Sequence, residues 1–161
     1  MAKEKENKTN VMRILDKNKV PYEAIFYECD EFIDGIHSAD AKGIAHEQSF
    51  KTLVAKGKSG GYYVFVIPIE EEVDLKAAAR SVGEKSVEMI HVKDITAITG
   101  YVRGGCSPLG MKKQFPTVIH ESAKNFDEFY VSGGKIGVTV KVSPVALAKL
   151  CRGTFHDIIK K

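Results

Sequence analysis

A glycine-rich loop and one lysine are the parts of this chain whose residue types and spacing could do chemistry. The run Arg103-Gly104-Gly105-Cys106-Ser107-Pro108 places two glycines before a proline. Glycines let backbone amides approach a ligand without a Cβ in the way, and proline stiffens the loop. A rigid loop with free N–H groups can bind a carbonyl or an oxyanion. An ordinary Gly/Pro turn would have the same spacing, so both interpretations stay open.

Cys106 is a candidate nucleophile in the same loop. The neighbouring Arg103 could favour its thiolate, but a catalytic cysteine also needs a histidine base. The five histidines are scattered, with no pair at helical i, i+4 spacing and no Cys/His cluster at zinc spacing. The alternative is a small side chain in a tight loop. Neither a structural metal nor a cofactor is expected.

Lys51 is the second candidate. On a strand it shares one face with Ser49, Leu53 and Ala55, so it lies among apolar neighbours. A lysine in that position either reaches out to solvent or faces a polar pocket. In a pocket its compact positive charge would suit a phosphate or a ribose oxygen.

Short, mixed elements would position these residues. The sequence predicts a helix over 9–19, a strand over 22–27, and a hairpin of 49–56 and 62–67 across the glycine-rich connection 57–61. Strand 62–67 shows no polar alternation, which is typical of a strand covered on both faces. The other predicted elements are helical turns at 38–42, a helix at 75–82 between Asp74 and Gly83, a strand at 86–90, a helix at 93–99, a strand at 117–120, a hairpin of 128–132 and 136–142 across 133–135, and a helix from Pro144 to about Cys151.

This order of elements indicates one α+β domain. About seven strands and four or five short helices do not follow a strict βαβ rhythm, and two of the strand pairs are hairpins. The 161 residues suffice for one domain, which we place at residues 9–161 after a frayed tail over 1–8.

The composition excludes several classes of protein. Hydrophobic residues make up 43% and charged residues 28%, which argues against a disordered, fibrous or membrane-spanning chain. The longest nearly unbroken apolar run, 62–69, is far shorter than the roughly 20 residues that a bilayer needs. The charged first residues do not resemble a signal peptide, and three cysteines without a CxxC suit a reducing compartment, so we expect a cytoplasmic protein. P-loop and GxGxxG motifs are absent.

Charge is distributed unevenly along the chain. Residues 21–50 contain one basic and seven acidic residues, whereas residues 96–161 contain ten basic and four acidic ones. Such segregation could give one face a positive potential for a phosphate-bearing partner, although chance would also explain it.

Four ordered blocks resemble the YbaK family, the free-standing branch of the bacterial prolyl-tRNA synthetase editing-domain superfamily. They are SFKTLV at 49–54, KSVEM at 85–89, TGYVRGGCSPLG at 99–110 and YVSGGK at 130–135. The similarity runs in order from about residue 8 to residue 159. It implies a mixed, mostly antiparallel, barrel-like β-sheet surrounded by short helices.

The resemblance also implies an activity, hydrolytic editing of misacylated tRNA, and a set of site residues. The branch is similar to Cys-tRNA(Pro) deacylases that also act on Cys-tRNA(Cys). They are thought to use the substrate's own thiol as nucleophile, and to work beside prolyl-tRNA synthetase. The lysine of the family falls on Lys51, and its pocket tyrosine falls on Tyr27, with Tyr22 near enough to be an alternative. The glycine-proline loop falls on Gly104, Gly105, Cys106, Ser107 and Pro108, and the Ser132-Gly133-Gly134 turn would border the same pocket. The expected partner is the aminoacylated 3′-end of tRNA.

Other functions stay open at this point. A relative could edit another aminoacyl-tRNA, such as Ala-tRNA(Pro), with a bound water. The chain could instead be a non-catalytic module that binds tRNA or a synthetase, or a hydrolase that uses the Cys106 thiol. The residues do not predict the oligomeric state.

Overall fold

The computed structural model describes residues 8–26, 46–102 and 105–161. Predicted features at Tyr27, at 38–42 and at Gly104 lie outside these residues. Within them, four α-helices, eight strands and three short 3-10 turns form an α+β structure. The helices are α1 (Asn10–Lys17), α2 (Leu75–Val82), α3 (Ile95–Thr99) and α4 (Pro144–Cys151). The strands are β1 (Tyr22–Phe26), β2 (Phe50–Gly57), β3 (Tyr62–Pro68), β4 (Val87–Met89), β5 (Thr117–His120), β6 (Phe129–Lys135), β7 (Val138–Val142) and β8 (Thr154–His156).

The helix ends follow local side-chain chemistry. The Thr9 hydroxyl caps α1 by accepting from the Met12 amide. Asp74 accepts from two amides in the first turn of α2, and Gly83 ends that helix with φ of 74°. Ser143 caps α4, with Pro144 in its first turn. These predicted helix boundaries are confirmed to within one or two residues.

The strands form two sheets. The smaller has the order β1-β7-β6 and is antiparallel throughout. The larger has the order β4-β2-β3-β5-β8, in which β3, β5 and β8 run parallel and the other pairs run antiparallel. A parallel bridge between Ser49 and Tyr130 joins the two sheets. The predicted mixed, mostly antiparallel architecture is confirmed, and the described strands form two joined sheets rather than one closed barrel.

Two apolar cores lie on opposite faces of the larger sheet. The larger core packs α1 and α4 against β2, β6 and β7, with Leu15, Phe50, Phe129, Val140 and Leu147 fully or almost fully buried. The second core lies beneath α2 and contains Ala55, Phe65, Ile67, Ala78, Val118 and Ile158 among others. Because β2 and β3 contribute to both cores, their side chains alternate between them. Coverage of β3 on both faces is thereby confirmed.

Two sequence predictions need correction. The second hairpin turns at Ile136 and Gly137 rather than at 133–135, because Gly133, Gly134 and Lys135 belong to β6 and the register shifts there. A short strand, β8, was not predicted at all. It has three residues and pairs in parallel with β5, so no hairpin turn or alternating pattern in the local sequence indicates a strand there.

No α-helix among the residues described here is both long and apolar enough to cross a membrane.

Candidate functional site

The seam between the two sheets brings the predicted lysine and Ser132 to one face. Ser49 and Tyr130 form the parallel bridge, and two residues further along each strand are Lys51 and Ser132. In a parallel pair, residues two apart point to the same side. Lys51 and Ser132 therefore lie on the side of the seam that faces away from the larger core.

Lys51 is half-buried on this face. Its Nζ donates to the carbonyl of Ile69 at 3.3 Å. Burial lowers the pKa of Lys51, and the nearby carboxylates of Glu71 and Glu72 partly oppose that shift. A partly desolvated cation can attract an anionic or strongly polar ligand.

Apolar and aromatic side chains pack around Ile69, the residue whose carbonyl accepts from Lys51. Ile69 is buried and packs against Ile25 of β1 and Tyr130 of β6. Lys141 of β7 lies over the Tyr130 ring, with its Nζ 5.9 Å from the ring centroid. Neither Tyr130 nor Ile69 was predicted as a site residue, although Tyr130 belongs to the YVSGGK block.

Tyr22 lies on the other face. It packs against the larger core, and its hydroxyl interacts with Asp16, which together with burial raises the pKa of Tyr22. Tyr22 is therefore not on the lysine's side of β1. The first choice for the pocket tyrosine, Tyr27, lies outside the described residues.

The glycine-proline loop packs tightly against the end of β6. Gly105, Ser107 and Pro108 are buried, and Cys106 is partly buried. A Cβ on Gly105 would lie 3.1 Å from the Cα of Lys135 and 3.2 Å from the amide nitrogen of Ile136. The backbone of the loop thus lies directly against the end of β6 and the start of the β6–β7 turn. Both the loop and Lys51 therefore lie beside β6. The loop contacts its last residue, Lys135, and Lys51 lies across the seam from Ser132.

The loop's amides divide into two groups. The Gly105 amide donates to the Val102 carbonyl at 3.0 Å, so it is engaged within the loop. The Ser107 hydroxyl accepts from the Leu109 amide at 3.4 Å. Among the residues that the structure describes, no partner is found for the amides of Cys106 and Ser107. If the loop holds a carbonyl oxygen, those two amides are the donors it can offer.

Tyr101 holds the loop in place, a role that the sequence did not suggest. Its hydroxyl donates to the Leu109 carbonyl. Its ring lies 3.3 Å from the position that a Cβ on Gly134 would occupy. Burial raises the pKa of Tyr101 to about 12, so the phenol remains a donor at any physiological pH. The signal was present, since Tyr101 stands in the TGYVRGG block.

Cys106 is poorly suited to act as a nucleophile. Burial raises the pKa of its thiol to about 11, with a hydrogen bond to Thr99 acting weakly against this. A thiol with that pKa is almost entirely protonated at neutral pH. The interpretation of Cys106 as a small side chain in a tight loop is favoured over the thiol hydrolase.

Ser132 lies on the same side of the seam as Lys51. Its hydroxyl accepts from the Gly134 amide at 3.1 Å across the β-bulge. The described part of the chain contains no group of three or more His, Cys, Asp or Glu side chains that could hold a metal ion. Among the described residues, the groups available for chemistry include the Lys51 cation, with Lys141 nearby over Tyr130, the amides of Cys106 and Ser107, and the Ser132 hydroxyl.

Comparison with known proteins identifies the family. The family model described as an aminoacyl-tRNA editing domain matches residues 36–150. An Enterococcus faecalis protein named "Putative Cys-tRNA(Pro)/Cys-tRNA(Cys) deacylase EbsC" is 45% identical over 163 aligned positions, which cover 100% of this chain and 99% of that protein.

Solved structures share the fold. One described as "a putative trans-editing enzyme for prolyl tRNA synthetase" is 21% identical with a TM-score of 0.78, covering 95% of this chain and 99% of that one. Another, the hypothetical protein APE2540, is 18% identical with a TM-score of 0.86, covering 94% of this chain and all of that one. The family match and the full-length relative confirm the resemblance seen in the sequence blocks: the chain belongs to the aminoacyl-tRNA editing domain family.

Proposed function

We propose that the chain is a trans-acting deacylase that cleaves the aminoacyl ester of Cys-tRNA(Pro), with Cys-tRNA(Cys) as a second substrate. The observation that carries this proposal is the 45% identity, over essentially both full lengths, to the protein named for these substrates. The site supports it, because a half-buried lysine and a glycine-proline loop meet the same strand, β6.

Lys51 binds the 3′-end of the tRNA in this proposal. Among the described residues, its partners are the Ile69 carbonyl and the nearby carboxylates of Glu71 and Glu72, and an ammonium with three donors can also bind a phosphate or ribose oxygen. A charge-assisted hydrogen bond of this kind contributes roughly 1.5–3 kcal/mol.

The glycine loop holds the carbonyl of the ester. The amides of Cys106 and Ser107 are the donors, and the contact between Gly105 and the β6–β7 turn keeps them rigid. Ser132, Gly133 and Gly134 form the adjoining wall, and Tyr27 would extend it. Donors fixed before the reaction stabilise the oxyanion without reorganising during the chemical step.

The substrate supplies its own nucleophile. The cysteine sulfur forms a bond to its ester carbonyl carbon, the ester C–O bond breaks, and the thiol proton passes to the departing ribose oxygen. The resulting four-membered thiolactone is then opened by water to give free cysteine. Holding the sulfur near the carbonyl replaces a protein nucleophile, which fits a site whose own thiol has a pKa of about 11.

A panel of amino acids on one tRNA tests the proposal. The protein should release cysteine from Cys-tRNA(Pro) far faster than serine or alanine from the same tRNA, because only cysteine has the sulfur. Comparable release of alanine would favour a bound water as nucleophile and contradict the thiol route. Binding of charged tRNA without any release would instead identify a non-catalytic module.

The same panel can test the partner. Prolyl-tRNA synthetase added to the reaction should raise the rate on Cys-tRNA(Pro) over that on Cys-tRNA(Cys) if it selects the tRNA. If the synthetase changed both rates equally, it would not be selecting the tRNA. Any preference between the two tRNAs would then come from this chain alone. We place this activity in the cytoplasm, where charged tRNA is used.

A further inference from the structure

A basic surface lies beside the glycine loop and is not used by the proposed chemistry. It consists of Arg13 and Lys17 on α1, Lys112 and Lys113 after the loop, and Lys135 at the end of β6, all of them exposed. We call these five residues the basic surface. No acidic residue occurs between Asp94 and Glu121, or between Glu128 and Asp157.

Contacts of α1 place its two basic residues next to the loop. A Cβ on Gly110 would lie 2.7 Å from the side-chain nitrogen of Asn10 and 3.3 Å from Cδ1 of Ile14. Lys17 shares a helical stripe with Asn10 and Ile14, and Arg13 lies beside it. The helix therefore presents its positive charges to the side on which the loop chain leaves Gly110 toward Lys112.

The end of β6 joins the same surface. Gly134 approaches both α1 and the loop, since a Cβ there would lie 3.0 Å from Cγ2 of Val11 and 3.3 Å from the Tyr101 ring. The next residue, Lys135, contacts Gly105 through its backbone while its side chain is exposed. Helix, loop and strand end thus bring basic residues near one junction, where the exposed Lys112 ammonium also donates to the Ala97 carbonyl at 3.5 Å.

The acidic residue of α1 does not cancel this charge. Asp16 is one helical turn from Arg13, but its carboxylate is 2.6 Å from the ammonium of Lys8 and is paired with it. Lys8 and nearby hydrogen bonds lower the pKa of Asp16. The charge of Asp16 is thus already neutralised locally, and the basic surface keeps its positive potential.

We propose that the basic surface binds the phosphates of the tRNA acceptor arm and so directs its 3′-end toward the glycine loop. This inference rests on the proposed function for the identity of the RNA. An acceptor stem is a double helix with regularly spaced negative charges, and exposed lysines on one side of a site bind such backbones without reading sequence. Helix α2 is less suitable for the acceptor stem, because it carries Lys76 and Arg80 close to the acidic run 70–72 and Asp74.

Direct binding measurements can test the basic surface. The probe is a fluorescently labelled RNA hairpin that contains an acceptor stem and a single-stranded CCA end, titrated at several salt concentrations. The test variant is Lys17→Gln/Lys112→Gln/Lys113→Gln. The matched control is Lys76→Gln/Arg80→Gln on α2, where both side chains are also exposed.

The test variant should weaken binding at least tenfold at physiological salt. The dependence of log K on log salt should also become shallower. The magnitude of its slope should decrease by about 2, since each lost phosphate contact removes roughly 0.7–0.9. The control should keep the wild-type affinity and slope. Unchanged binding by the test variant, or an equal loss in the control, would overturn the proposal. The hairpin carries no amino acid, so this result does not depend on ester cleavage. Failure of the deacylase proposal would appear separately, as an absence of cysteine release.

Discussion

Replacement of Gly105 by alanine is expected to damage the site through one close backbone contact. The added Cβ would lie 3.1 Å from the Cα of Lys135 and 3.2 Å from the nitrogen of Ile136. Both are backbone atoms, one at the end of β6 and one at the start of the β6–β7 turn, so no side chain can rotate away to make room. Gly105 does not have the positive φ that alanine avoids, so the effect comes from the contact itself.

The size of the effect follows from two opposing contributions. Forcing a methyl group into a filled space costs about 1–3 kcal/mol. Alanine stabilises the fold by roughly 0.4–1 kcal/mol because it restricts the unfolded chain. We therefore expect Gly105→Ala to lower the free energy of unfolding by about 0.5–2 kcal/mol. Displacement of the Cys106 and Ser107 amides by a few tenths of an ångström should also lower kcat at least tenfold, since a lost oxyanion donor costs about 2.7–4 kcal/mol.

Gly61→Ala is the matched control. Gly61 is exposed, and a Cβ there would have its nearest neighbour at 3.6 Å, an ordinary contact. Denaturant unfolding and steady-state deacylation of Cys-tRNA(Pro) should be measured on both variants. The reasoning would be refuted if Gly105→Ala matched Gly61→Ala in both stability and kcat.

Three further changes have defined outcomes. Tyr101→Phe removes the donor to the Leu109 carbonyl and should cost about 1–3 kcal/mol of stability together with a fall in kcat, whereas Tyr63→Phe, which loses a bond to a surface carboxylate, should leave kcat unchanged. Cys106→Ser should retain most of the deacylase rate, because burial raises the pKa of that thiol to about 11. Complete loss of the rate would instead indicate that the Cys106 thiol is the nucleophile. Burial lowers the pKa of His120 in the folded protein below the ordinary histidine value of about 6.5. The unfolded chain therefore binds more protons as the pH drops below about 6.5, and the free energy of unfolding should fall there. Thermal unfolding at several pH values should show that acid loss reduced in His120→Gln.

Features determined by neighbouring residues were predictable from the sequence. Asp74 and Gly83 bound α2 because a carboxylate accepts from first-turn amides and glycine adopts φ of 74° at the end. The first hairpin was predictable because Gly57 and Gly61 separate two β-rich segments. Alternation along β2 also placed Lys51 correctly on the face opposite Phe50 and Val54.

Features that depend on distant pairing were not predictable. Ser49 and Tyr130 are far apart in the chain, and no local pattern shows that they bridge the two sheets. The second hairpin was misplaced because Gly133 and Gly134 have the composition of a turn, although they form a bulge and Gly137 adopts the turn conformation with φ of 86°. The role of Tyr101 depends on a hydrogen bond to Leu109 and on its packing against Gly134, both of which require the folded loop.

The central claim is that Lys51 holds the tRNA end while the ester is cleaved, and single-turnover release of cysteine from Cys-tRNA(Pro) tests it most directly. The wild-type protein should accelerate release well above spontaneous hydrolysis. Lys51→Ala should be roughly 10- to 150-fold slower, which is the rate equivalent of about 1.5–3 kcal/mol. Lys58→Ala, in the exposed turn between β2 and β3, should behave as the wild type. A normal rate in folded Lys51→Ala, or no acceleration by the wild type, would contradict the account.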